Sequence, residues 1–491
     1  MCETFDLGFD LPEMRKIQRD GICNNFNMWP PLNEDTVNFF KKNKKYSVSL
    51  FLPASTVFLR SLKKRVFPAR NIVPDVEFAS AELRKLDRLQ ENSAGDVYWI
   101  AFPECDSSLL PVYLYNNKVR YKNRAAAYQK IKEYFEGWDI LLKAGGKRKC
   151  KMMGIAGHPG TTPMLCEMGM DACLVEICID SLYDIHPSAA MVRGVSRQHN
   201  KKWGLDFSHW RHHSGPTVYD DNGRRISGWS ENYLERNLYT AYMAGAEIIR
   251  IEETAARHPG SANHNAGKNF CFIPDKDEKK VRLTPAGRAL RRFAGFCRKV
   301  RDRGEPVRPV ALMFDKRSGW NPKSAWNKNN TVWQEQFPYN HDDHMYDHFM
   351  NLIYEGHHRH GGVEGAPFAE RREYDFWRWE IKDKDRALRM SERLIRRKFD
   401  TRPFESVSSA VYGDSFDFIT SEAGAGVIGN YKLLIPLGRI NFPERTRAAI
   451  REFAANGGTA LLNAAEAAQW DGDFSGVTVS KKTRESCVSK C

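Results

Sequence analysis

The 491-residue sequence is notable first for the chemistry it does not carry. No stretch reaches about 18 apolar residues, so no membrane-crossing helix is expected. The segment GHPGTT at 157–162 has neither Walker spacing nor a Lys-Ser/Thr pair, which excludes a phosphate loop. No G-x-S-x-G elbow occurs, which argues against a serine hydrolase. The 11 cysteines include no C-x-x-C and no paired zinc spacing. Odd in number and scattered from Cys2 to Cys491, they read as small core residues of a mostly reduced chain. His344 and His348 are four apart on a helix-like stretch, but no Glu follows His344, and solvated histidines are the simpler reading. Neither a metal nor a cofactor is expected. The opening residues lack the basic and then apolar regions of a signal peptide. A trimmed chain would look the same, so the compartment stays open between cytoplasm and secretion. There is no internal repeat at a fixed period.

What is present is a large core and many rings. Hydrophobic residues make up 42% and aromatics 12%, with 12 tryptophans. That exceeds what one ordinary domain needs. Flat rings in such number suit an ordinary core, and they also suit stacking against sugars or bases. Lys and Arg number 75 against 61 acids, a formal charge of +14. A basic balance favours polyanions or simply serves solubility.

Short apolar runs alternate with helical patterns. Strands are expected at 3–9, 21–26, 46–53, 96–104, 150–157, 172–180, 203–210 and 247–253. Helices are expected at 123–145, 187–200, 230–245 and 284–304, with Gly145 and Gly245 as stops. Strand and helix repeated about eight times imply parallel strands with helices outside, and a (β/α)8 TIM barrel over 1–304 is the natural closure. If the count slips by one, the last strand becomes 307–315. From 305 to 472 the pattern reads as a smaller doubly wound α/β domain. Its strands fall at 309–315, 415–420, 431–438 and 459–465, and its helices at 343–356 and 442–458. A long polar insertion interrupts it at about 357–405, and 473–491 is a polar tail.

In such a barrel, catalytic groups project from the carboxyl ends of the strands. Glu104, Glu176, Asp206 and Glu252 fall at or near those ends, as do Asp180 and Glu253. Paired carboxylates are what glycosidic cleavage requires: one protonated, to donate to the leaving oxygen, and one ionised. Taken singly, each acid is more simply a cap, an ion-pair partner or a surface group. A charge partway along a strand is more unusual, which favours Glu176 and Asp206 over Glu253. Trp99, Trp203 and Trp210 are candidate sugar platforms. His158 and His209 are candidates to line the same pocket.

The order of parts resembles glycoside hydrolase family 42 and its relatives, clan A barrels followed by a trimerisation domain. That second domain resembles a class I glutamine amidotransferase without its cysteine. PVALMFDKRSGW (309–320) and YKLLIPLGRINFPERTRAAIREFAANGGTALLN (431–463) carry this part of the likeness. Residues 169–210 are similar to the family's sixth strand, helix and seventh strand, and 241–253 to its eighth. The resemblance implies an acid/base Glu ending strand four after an Asn, and a nucleophilic Glu ending strand seven. Glu104 matches the first place, with Pro103 for the Asn, and Asp206 falls near the second. These departures imply a different pair, such as Glu176 with Glu252, or a non-catalytic carbohydrate-binding relative. The resemblance further implies a carbohydrate substrate, acidic or sulfated if the basic charge bears on it, and a homo-oligomer. Neither nucleic acid nor membrane is an expected partner.

Overall fold

In the computed structural model the described residues are 2–6, 11–28, 34–43, 47–51, 99–102, 121–129, 132, 151–156, 159–177, 185–208, 218–227, 230–252, 270–276, 280–318, 342 and 414–470. The chain opens with β1 (Cys2–Asp6), α1 (Leu11–Asp20), β2 (Asn25–Met28), α2 (Glu34–Lys42) and β3 (Ser47–Phe51). Next come β4 (Trp99–Phe102), β5 (Lys151–Ala156), α3 (Thr162–Glu167), β6 (Ala172–Ile177), α4 (Ile185–Gln198) and β7 (Lys202–Ser208). A hairpin of β8 (Val218–Tyr219) and β9 (Arg225–Ser227) precedes α5 (Glu231–Met243) and β10 (Ile248–Glu252). A second hairpin, β11 (Phe272–Pro274) and β12 (Val281–Leu283), leads into α6 (Pro285–Lys299). The remainder holds β13 (Val310–Phe314), β14 (Phe416–Thr420), α7 (Ala425–Ile428), β15 (Leu433–Pro436), α8 (Glu444–Ala455), β16 (Thr459–Ala460) and α9 (Ala464–Ala467).

The fold is mixed α/β. Strands β1 to β7 and β10 run parallel, and the sheet curls until β10 pairs back onto β1. All eight expected strands lie within or overlap these elements, and Ile248–Glu252 is the closing one, so 307–315 does not belong to this sheet. Alternation sorts the side chains into two sets. Phe26, Phe102, Met152, Val175, Trp203, Leu205, Phe207, Ile249 and Ile251 join the helices in one large core, and so face outward. Trp99, Ala101, Met153, Ile155, Ala172, Leu174 and Ile248 form a separate cluster of strand residues alone, inside the curl. Strands buried on both faces read as near-continuous apolar runs, which is why they were visible.

Two helix ends show how local chemistry sets the frame. Ser230 caps α5, accepting from the Tyr233 amide at 3.2 Å. Its far end stops at Gly245, whose φ of +97° suits a residue without Cβ. Arg303 donates to the carbonyls of Tyr242, Gly245 and Ala246 there, at 2.8–2.9 Å. Thr284 caps α6, accepting from Gly287 N at 3.0 Å, with Pro285 in the first turn.

A second parallel sheet has the order β14-β13-β15-β16. It packs on the outer side of α4, so that helix is buried from both sides. Residues 191–196 show no exposed position, as expected for a helix covered from both sides, and the polar Arg193 among them is paired across the junction. Two differences from the sequence reading have local causes. The expected strand at 21–26 starts only at Asn25, because Gly21 turns the chain with φ +59°. The expected strand at 459–465 stops at Ala460, because Asn463 opens a capping box with Glu466. The two hairpins, β8–β9 and β11–β12, had no counterpart in the periodicity. The helix at 343–356, the insertion at 357–405 and the tail at 473–491 lie outside the described residues. Among the described residues, five cysteines are buried free thiols, in keeping with a reduced chain.

Candidate functional site

The inner face changes character along its length. Toward the amino ends of the strands it is apolar. One step before the carboxyl ends, three charged residues stand side by side on adjacent strands. Glu176 on β6 is in register with Asp206 on β7, and Asp206 with Arg250 on β10. Each lies two residues beyond an inward-facing neighbour or in register with one, so all three face the interior. They are 3%, 1% and 1% exposed. Register carries the level on to Thr4 of β1 and from there to Asn25 of β2, which is buried.

Arg250 Nη1 donates to Asp206 Oδ2 in a buried ion pair. Asp206 therefore has its countercharge inside the protein. Glu176 stands on the other side of Asp206, at the strand spacing of about 4.8 Å. Two ionised carboxylates on the order of 5 Å apart repel by about 3 kcal/mol at an effective dielectric of about 20. On the opposite side of Glu176, Ile155, Met153, Ala101 and Trp99 are the apolar residues of the inner face on β5 and β4, with Lys151 on the same face at the amino end of β5.

The strands deliver the other expected residues unevenly. Glu252 is the last residue of β10 and pairs in register with Ser208, the last of β7, one level above Arg250 and Asp206. Trp99 opens β4, and so lies toward the amino ends, among Met153, Ala172 and Leu174, with Lys151 Nζ 5.9 Å from its ring centroid. It floors the interior and is remote from the strand carboxyl ends. Trp203 faces outward, where Arg193 of α4 lies over its ring at 5.6 Å. That location offers packing against a helix, and no platform for a sugar inside the curl. Glu104, His158, Asp180, His209 and Trp210 lie outside the described residues, as does Glu253.

Arg250 was missed on reading the sequence. Its signal is the one that singled out Glu176 and Asp206: a charge in the middle of an apolar run, here EIIRIEE. Asn25 was missed for a different reason, since its strand was placed four residues too early. Among the described residues no group of three or more His, Cys, Asp or Glu is arranged to hold a metal ion. No helix among them is long and apolar enough to cross a membrane.

Comparison with known proteins gives little. No family model matches the chain, and no curated protein matches it. Among solved structures it is similar to the polyextremophilic beta-galactosidase from the Antarctic haloarchaeon Halorubrum lacusprofundi, at 10% identity and a TM-score of 0.47. That match covers 94% of this chain and 72% of the other.

Proposed function

We propose that the chain is a glycoside hydrolase that cleaves a poly- or oligosaccharide with two carboxylates. The single observation that carries this reading is the register-matched row Glu176–Asp206–Arg250, inside the curled sheet and one level below Glu252. In this reading the sheet belongs to a (β/α)8 barrel spanning about 1–304. The second sheet belongs to a doubly wound domain at about 305–472 that joins copies into a homo-oligomer.

Glu176 is the proton donor, because it is buried beside a second carboxylate. Glu252, at the strand end, is the ionised partner, acting as nucleophile or as base toward water. Asp206 falls near the place where the family keeps its nucleophile, but its charge is already matched by Arg250. Glu104, His158, Asp180, His209 and Trp210 follow the carboxyl ends of β4, β5, β6 and β7 within three residues, and β4 to β7 and β10 are successive neighbours. They are the remaining candidates for acid and sugar contacts. A charge of +14 supports an acidic or sulfated glycan as substrate.

The test is turnover of neutral, uronic-acid-containing and sulfated glycans by wild type, Glu176→Gln and Glu252→Gln. Loss of a general acid or base is expected to cost about 10²- to 10⁴-fold in kcat. Wild-type turnover in both variants would sink the assignment. A second reading, a carbohydrate-binding protein without hydrolysis, is favoured by the same Arg250–Asp206 pair, which disables the family's usual nucleophile place. Glycan binding with no turnover by the wild type would establish it.

A further inference from the structure

We infer that the outer face of α6, continued onto α1 and α5, is a docking surface for an acidic polysaccharide chain, uronic or sulfated. It lies outside the curled sheet and touches no reacting atom. The inference rests on the carbohydrate reading for its purpose, though its binding is measured without turnover.

Helix α6 has two sharply different sides. Ala286, Ala289, Leu290, Phe293, Ala294 and Cys297 are buried. Every exposed position is a cation: Arg288, Arg291, Arg292, Arg298 and Lys299. The helix holds no acid. A solvated face ordinarily mixes both signs, and opposite charges four apart stabilise it. This face has no such mixture. The neighbouring helices extend it. Arg15 and Arg19 are the exposed positions among the described side chains of α1, four apart and so on one face. Asp20, at the end of α1, lies 3.0 Å from Lys16 and 3.8 Å from Arg291. Arg298 donates to the Gly21 carbonyl at 2.5 Å. On the other flank, Glu235 of α5 takes Arg292 on both oxygens, at 2.8 and 2.9 Å, beside the exposed Arg236. Across the three helices nine cations stand against four acids, and one of those acids, Glu13, is buried.

The bonds fix the guanidiniums without cancelling them. Arg288 and Arg298 donate to the carbonyls of Leu283 and Gly21, which carry no net charge. Among the described residues, Asp20 and Glu235 pair with Lys16, Arg291 and Arg292, which leaves Arg15, Arg19, Arg288, Arg298 and Lys299 without an acid partner. From Arg288 to Lys299 the cations cover about 16 Å of helix axis. That is twice the Debye length of about 8 Å at physiological salt. A small anion meets one end of such a row, whereas a chain of repeated negative groups meets all of it. Guanidinium forks also bind carboxylates through two parallel bonds. The exposed positions of the three helices include no aromatic ring, the platform on which single-stranded nucleic acids stack, and that favours a glycan as the occupant.

The experiment is titration calorimetry of the full chain with heparin, polygalacturonate and neutral dextran over a salt series, with duplex DNA as a rival polyanion. The wild type should bind at least one acidic glycan more tightly than the duplex, and should not bind dextran. Affinity should fall as salt rises, as counterion release requires. Arg288→Gln/Arg291→Gln/Lys299→Gln should lose at least about tenfold in affinity at low salt and show a shallower salt slope. Arg15→Gln/Arg19→Gln should also weaken binding, and it serves if the triple variant does not fold. Lys432→Gln/Arg439→Gln/Arg445→Gln removes the same charge from exposed positions near the second sheet, and should bind as the wild type does. Where an acidic polymer is turned over, the first triple variant should raise its KM and leave kcat unchanged, with both constants for a short oligosaccharide unmoved. Absence of binding to either acidic glycan, tighter binding of the duplex than of both, or an equal loss in the control variant overturns the inference. Binding as stated in a protein that hydrolyses no glycan supports the surface and overturns the hydrolase reading alone.

Discussion

Arg193 Nε donates to Asp417 Oδ1 at 2.6 Å, across the boundary between the curled sheet's outer helix and the second sheet. The same guanidinium reaches both Asp414 oxygens, at 2.9 and 3.2 Å, and the carbonyl of Phe416. Arg308 joins Asp414 at 2.7 Å, and Tyr431 donates its hydroxyl to Asp417. Burial works against the charge on Arg193, but Asp417 and Asp414 outweigh it and raise its pKa. Removing one partner leaves a buried charge unmatched, which typically costs about 3–5 kcal/mol. Arg193→Met should therefore lose about that much in denaturant unfolding. Since α4 serves both sheets, probes in either should report one transition. Separate transitions, or a loss under about 1 kcal/mol, would show that the two sheets are not coupled this way.

Gly194 follows on the same helix for a steric reason. A Cβ there would stand 2.2 Å from the carbonyl oxygen of Phe418 and 2.9 Å from its nitrogen. Both neighbours are backbone atoms of β14, so relief requires the sheet to move off the helix. Gly194→Ala should destabilise by about 1–3 kcal/mol or more, as overpacking does. It should also loosen Gln198, which exchanges two hydrogen bonds with Thr420 at 2.7 and 2.8 Å. Faster amide exchange confined to β14 is the expected signature. Unchanged stability would mean that helix and sheet sit further apart than they do here.

The strands of this fold were legible because burial on both faces makes each a compact apolar run. The row at Glu176 and Asp206 was legible because a charge inside such a run needs a reason. What could not be read was which face each residue takes. Trp203 and Trp99 looked alike in sequence, yet one packs under a helix and the other floors the interior. Register decides that, and register is set by neighbouring strands distant in the chain. The junction of Arg193 with Asp417 spans 224 positions and left no local trace. Arg250 did leave one, and the reading stopped at the two glutamates after it.

Glu466 offers a pH test in the second sheet's region. Burial first, and then the charge of Asp342, push its carboxyl up to about 7, against hydrogen bonds from the backbone of Asn463 and Ile440. An exposed glutamate titrates near 4.3. Between these values the folded protein holds a proton that the unfolded chain has lost, so stability falls as pH rises through the window and is level above it. Glu466→Gln keeps an oxygen for the Asn463 amide and cannot ionise. The variant should match the wild type near pH 4 and be the more stable of the two near pH 8. A wild-type stability that rises from pH 5 to 7, with no difference in the variant's slope, would contradict the assignment.

Arg303 closes the turn that feeds β10. It caps α5 through three carbonyls, and its guanidinium lies 4.5 Å from the Tyr242 ring centroid. Tyr242 donates its hydroxyl to the Val300 carbonyl, and Arg308 donates to Ala244 at 2.8 Å. Five residues past the end of the helix, β10 begins, and it carries Arg250 and Glu252. Arg303→Ala strips three carbonyls of a charged donor, and hydrogen bonds to charged groups contribute about 1.5–3 kcal/mol each when buried. The site is partly exposed, and water replaces some of the loss, so a fall of about 2 kcal/mol is expected in thermal or denaturant unfolding. Arg303→Lys, a point charge without the planar fork, should recover less than half of it.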